Sequence, residues 1–117
     1  MDILAERFHD AGFATGLVSD VYHWFNATMN FTRGFVSWRF IRGQENDGYR
    51  SGPFSRIDLG EHTREGEADP AKHPVLAQYL LNMLDRQEGE DSCLAAQVFR
   101  SASQWLEDNA SNRPFFL

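Results

Sequence analysis

Only one cysteine, Cys93, occurs among the 117 residues, so no internal disulfide framework can brace the fold. It sits within a helical pattern, where a buried thiol is the expectation. No apolar run is long enough to cross a bilayer. The first residues, Met1 to Arg7, also lack the basic-then-apolar order of a signal peptide. Basic side chains are few, eleven against seventeen acidic ones, and the net charge is −6. With no basic face to neutralise phosphates, neither nucleic acid nor an anionic membrane is expected as a partner. Nothing in the chain specifies a compartment.

What is present is aromatic. Ten Phe, three Trp and three Tyr are a large stock of apolar surface for one small domain. Surface of that kind normally needs more chain to cover it, so residues 1–117 are expected to be part of a larger domain. No internal repeat, low-complexity tract or linker interrupts them.

Periodicity predicts an amphipathic helix over Asp2 to Ala11, with Ile3, Leu4, Phe8 and Ala11 on one face, ending at Gly12 in a left-handed conformation. A short strand follows over Phe13 to Val18, so that an α-then-β unit feeds a buried parallel sheet. Ser19 to Arg33 is polar and aromatic without a period and reads as loop. Phe35 to Ile41 alternates and reads as a second strand. Arg42 to Lys72 has almost no periodicity, and a structureless stretch of about thirty residues inside a domain is usually functional or covers something larger. His62, His73 and the acids Glu61, Glu65, Glu67 and Asp69 fall here at no standard metal-ligand spacing, so a solvated acidic loop is expected.

Pro74 opens a strong helix with Val75, Leu76, Tyr79, Leu80, Met83 and Leu84 at helical spacing. A turn at Gln87 to Glu90 leads to a last helix capped by Asp91 or Ser92. Its expected core face is Leu94, Ala95, Val98, Phe99, Ala102, Trp105 and Leu106. Asn109 to Arg113 breaks it, and Pro114 to Leu117 reads as the start of a buried strand; truncation inside a sheet element is the expectation.

Several stretches carry a family resemblance. Asp2 to Asp20 has the helix-to-strand form Leu4-Ala5-Glu6, Ala11-Gly12-Phe13 and Thr15. Tyr22-His23 and Asn30-Phe31-Thr32-Arg33-Gly34-Phe35 follow it. The densest run is Trp38-Arg39-Phe40-Ile41-Arg42-Gly43-Gln44-Glu45-Asn46-Asp47, and the Phe99 to Leu106 helix leading into Arg113 to Leu117 completes the set. Together these resemble sulfatases, in the branch of the alkaline phosphatase superfamily that holds arylsulfatase-like and phosphonate monoester hydrolase-like enzymes. The resemblance implies an α/β fold with a mainly parallel or mixed sheet flanked by helices, within the family's N-terminal catalytic domain. It also implies hydrolysis of a sulfate, phosphate or phosphonate ester by a formylglycine nucleophile beside a divalent cation, often Ca²⁺.

The family's Cys/Ser-x-Pro-x-Arg nucleophile motif is absent and Cys93 has no such context, so the chain alone is expected to be inactive. No metal ligand is identifiable in it. Where many sulfatases place Gly-Lys-Trp-His after the strand, this chain has Asp20-Val21-Tyr22-His23. It keeps the His and puts Val21 in place of the Lys, which favours the phosphonate or phosphodiester branch as the alternative; a non-catalytic stand-alone module is a further rival. His23 lies just beyond a strand's carboxyl end, where open α/β sheets bind ligands. There it can hold a sulfate or phosphate oxygen or protonate a leaving group, and the bland alternative is a packing residue. Arg42, Gln44 and Glu45 can bind the substrate, Arg42 through its fork of donors. The other reading is an Arg42–Glu45 ion pair that braces the loop. Asp20 and Tyr22 can support the site from behind or simply form the turn.

Overall fold

A computed structural model describes residues 3–86 and 89–117. Asp2 of the first expected helix, and Gln87 and Glu88 of the expected turn, lie outside the described residues. The chain is an α/β protein with helices α1 (Leu4–Asp10), α2 (Pro74–Asn82) and α3 (Leu94–Asn109), and strands β1 (Ala14–Ser19), β2 (Ser37–Phe40) and β3 (Phe115–Phe116). The strands form one parallel sheet in the order β2-β1-β3.

The α1 helix starts where the Glu6 carboxylate accepts the Ile3 backbone N–H at 3.2 Å. It stops at Gly12, whose φ of +87° is the left-handed ending that the sequence predicts. Apolar β1 then enters the middle of the sheet. It pairs Gly16 to Ser19 with Ser37 to Phe40 on one side, and Ala14 and Thr15 with Phe115 and Phe116 on the other.

Side chains alternate along a strand, so the two faces of β1 receive different helices. On the Thr15 face, Phe8 of α1 stacks on Phe116 with ring centroids 4.6 Å apart. On the Gly16 face lies α3, and a Cβ at residue 16 would fall 2.4 Å from Trp105 Cε2. Glycine is therefore required for the helix to seat. Trp105 Nε1 then donates to Ser37 Oγ at 2.6 Å. Gln97 and Arg100 lie beside Ile41, beyond the end of β2, so α3 runs antiparallel to the strands.

Several expectations are corrected. Phe99 is 73% exposed and takes no part in the core, because α3 turns its Trp105 side to the sheet. Cys93 is exposed and is itself the N-cap of α3, its Sγ accepting the Ala96 N–H at 3.4 Å. Ser92, expected as a cap, instead donates to the Arg86 and Gly89 carbonyls. The buried side of α2 is Ala77, Leu81 and Asn82, while Val75 stays 53% exposed. Small Ala77 and hydrogen-bonding Asn82 let a polar loop dock where an apolar face was expected. Residues 42–72 hold neither α-helix nor strand, only three short 3-10 turns at Phe54–Arg56, Gly60–His62 and Arg64–Gly66.

The molecule is drawn out, 54 × 34 × 23 Å, with a radius of gyration of 17.9 Å. A compact domain of this length has about 13 Å. Its accessible surface of 7832 Å² likewise exceeds the roughly 6,500 Å² expected for its mass. Much of the aromatic stock lies outside a core.

Candidate functional site at the carboxyl edge of the sheet

Parallel pairing brings the carboxyl ends of β1 and β2 to the same edge, and the chain leaves both strands into the segments that carry the candidate residues. From β1 it passes Ser19 and Asp20 into a 3-10 turn, Tyr22–Phe25, that presents His23. Buried Ser19 shapes this exit, its Oγ accepting the Val21 N–H at 3.1 Å. From β2 it passes buried Ile41 into Arg42, Gly43, Gln44 and Glu45.

The two exits touch. His23 Nε2 lies 2.8 Å from Glu45 Oε2, both groups being partly open to solvent. With its nitrogen turned toward Asp20, the Gln44 amide donates to Oδ1 at 3.0 Å and to Oδ2 at 2.5 Å. Glu45 adopts a left-handed backbone, φ +53°, which is unusual for a residue with a Cβ. That conformation belongs to the loop that brings its carboxylate to His23. Beneath lies an aromatic floor, with the Tyr22 ring 5.6 Å from His23 and Phe25 stacked on Phe40 at 4.5 Å.

Arg42 has a different partner from the one expected. Glu45 is taken by His23, and the Arg42 guanidinium grips Asp47 through Nε at 2.7 Å and Nη2 at 2.6 Å. Asp47 is fully buried and also accepts the Gly43 N–H at 2.8 Å. The hydrogen bonds to Asp47 hold the Arg42 pKa above its already high ordinary value, outweighing the effect of burial, so the cation is permanent. Its planar group also lies over the Phe40 and Tyr49 rings, at 5.5 and 5.7 Å.

Sequence reasoning missed the residue that fixes this loop. Asn82, fully buried at the end of α2, donates from Nδ2 to the Gly43 and Asp47 carbonyls at 3.2 and 2.7 Å. Its Oδ1 accepts the Arg50 N–H at 3.0 Å and Gln78 Nε2 at 2.9 Å. Gly43 is favoured here because its φ is +113°, a backbone that L side chains rarely adopt. The available signal was a lone amide inside the apolar run Tyr79 to Leu84, since a polar group buried among apolar ones needs partners.

The carboxylates nearest the edge are each engaged, Asp20 by Gln44, Glu45 by His23 and Asp47 by Arg42. Among the described residues, no group of three or more His, Cys, Asp or Glu is placed to hold a metal ion. The residues present do not fit the divalent cation that the resemblance implies. Of the acidic stretch, Glu67 pairs with Lys72, and hydrogen bonds from that ammonium and from the Asp69 backbone hold its pKa below the ordinary carboxylate value. No helix among the described residues is long and apolar enough to cross a membrane. No family model, curated protein or solved structure matches this chain.

Proposed function

We propose that this chain is part of a sulfatase-type ester hydrolase of the alkaline phosphatase superfamily and forms one wall of its site. The observation that carries the reading is the meeting of His23 and Glu45 at the carboxyl edge of two parallel strands, where open α/β sheets receive their ligands. The surplus of exposed surface supports a larger parent domain, since uncovered aromatics at Trp38 and Phe99 are surfaces that further chain would bury.

In this reading His23 faces the transferring sulfuryl or phosphoryl group. Glu45 occupies Nε2 and orients the ring; when the ring carries both protons, Nδ1–H is left to donate to a non-bridging oxygen or to the departing alcohol oxygen. Arg42, its charge paired with Asp47, holds its remaining guanidinium N–H groups in place beside the edge. Gln44 ties the two exits together through Asp20. The nucleophile and the divalent cation belong to other parts of such an enzyme. Val21, in place of a sulfate-binding Lys, favours a phosphonate monoester or phosphodiester as substrate over a sulfate ester.

The test is His23→Ala in a hydrolase that joins this chain to the nucleophile and metal-bearing segments. The expected result is a fall in kcat/KM of roughly 10²–10⁴-fold with an unchanged melting temperature. Unchanged kinetics would sink the assignment, and an unfolded variant would return His23 to a packing role. The 117-residue chain alone should not turn over aryl sulfates, phosphodiesters or phosphonate esters in Ca²⁺, Mn²⁺ or Zn²⁺.

A further inference from the structure

In a chain of net charge −6, two arginines converge on one hollow of about 280 Å³, Arg39 from β2 and Arg100 from α3. Side chains alternate along a strand, and Ser37 meets Trp105 of α3, so Arg39, two residues on, faces the same helix. On α3, Gln97, Ser101 and Gln104 recur at three- and four-residue spacing and lay a polar stripe along the side that borders β2. Neither cation is firmly paired. Arg39 has no ion pair among the described residues. Arg100 reaches the carboxylate of fully open Asp91 only at 3.6 Å, and so loose a surface pair holds little. A second hollow of about 210 Å³ adjoins the first, sharing Arg39, Ser101 and Gln104 with it, and has Val18 and Trp105 as apolar walls. Asp108 stands at its far rim, where Oδ1 accepts the Gln104 amide at 3.1 Å.

We infer that the joined hollows bind a small amphipathic monocarboxylic acid, its carboxylate on Arg39 and Arg100 and its hydrocarbon body against Val18 and Trp105. Two guanidiniums offer the forked donors that a carboxylate accepts, and the Ser101 hydroxyl adds another. Arg39 gains its partner without breaking an ion pair, and transfer of the hydrocarbon from water adds to the binding. The Asp108 carboxylate repels a second anionic end, which selects a monoacid over a diacid. The apolar wall is set before the ligand arrives: Gly16 seats the Trp105 ring, and Ser37 Oγ holds its N–H. A wall already in place lowers the ordering cost of binding. The lining includes neither His23 nor Glu45, so this site is independent of the proposed ester chemistry.

The experiment is a titration of the isotope-labelled chain with hexanoate, acetate, hexanol and inorganic phosphate, read as backbone amide and indole N–H shifts. Hexanoate should move the amides of Arg39, Arg100 and Ser101 together with the Val18 amide and the Trp105 indole. Acetate should move the arginine end alone and bind about tenfold more weakly or worse, since it lacks the methylenes that the apolar walls cover. Hexanol, without a charge, should also lose about tenfold or more. Inorganic phosphate should leave Val18 and the Trp105 indole in place. Arg39→Gln, at an exposed position, should weaken hexanoate by about tenfold or more, and Arg100→Gln should act in the same direction. Hexanoate that leaves the Arg39 and Arg100 amides unmoved would overturn the site, as would hexanol binding as tightly as hexanoate. So would both variants binding hexanoate as tightly as the original chain. Acetate or phosphate matching hexanoate would mean that any anion is held there, and the amphipathic ligand would be refuted.

Discussion

The sheet and the loop lobe are held together by different mixtures of apolar and polar contact. Around β1 the contacts are apolar and aromatic: Phe8 stacks on Phe116, Trp105 fills the space above Gly16, and Ala5, Ala14 and Leu94 are buried. Between residues 41 and 86 the buried Leu59, Ala77 and Leu81 sit with buried polar groups, an Asn82 amide that donates to the Gly43 and Asp47 carbonyls and an Asp47 carboxylate held by Arg42 and the Gly43 N–H. An apolar core tolerates exchange among residues of similar size, whereas a buried hydrogen-bond hub depends on every partner. The candidate site straddles the boundary, with His23 delivered by the sheet and Glu45 by the lobe.

Removing the hub is therefore the most damaging change expected. Asn82→Ala leaves the Gly43 and Asp47 carbonyls and the Arg50 N–H without a partner. Each such loss costs about 1–3 kcal/mol, and a total of roughly 3–5 kcal/mol is expected. Chemical denaturation should show it, and hydrogen exchange should speed at Gly43 and Arg50 while β1 amides stay protected. A loss below about 1 kcal/mol would mean that water replaces the amide readily, and the contrast between the two regions would then be overstated.

On the sheet side, Trp105→Ala should cost about 2–4 kcal/mol, somewhat under the range for a fully buried Trp. It should do so by loosening β1 and β2 together, since the indole spans Gly16 and Ser37. Protection lost in α2 instead would break the division into two differently held regions. Phe99→Ser should stay within about 0.5 kcal/mol in the isolated chain, because the ring touches little. A larger loss would show that α3 uses both faces here.

The smallest effect is on pH. Hydrogen bonds from Lys72 and from the Asp69 backbone depress the Glu67 pKa in the folded chain. Its contribution is thus present above the unfolded pKa, about 4.3, and is lost as pH falls through the lower folded value. Melting curves of Glu67→Gln and the original chain should converge at acid pH and separate slightly at neutral pH. A difference that grew with acidification would reverse the sign and refute the pairing.

Local pattern carried much of the fold into view. The α1 helix, its ending at Gly12, the three strands and α3 follow from periodicity and turn chemistry, which act over a few residues. So does the placement of His23 and the Arg42 to Glu45 segment at neighbouring strand exits, given parallel pairing. Spacing could not decide which face of α2 is buried, because Val75 and Leu81 are equally apolar and only the docked loop distinguishes them. Nor could it assign partners among charges: Arg42 faces an acid three residues away at Glu45 and another five away at Asp47, and the fold takes the second because His23 arrives to claim the first. The amino-acid order alone determined which segments are strand, helix or polar loop, since those depend on neighbours along the chain. Only the tertiary structure decided who pairs with whom at the carboxyl edge, since hydrogen bonds and ion pairs depend on distances that the folded backbone sets.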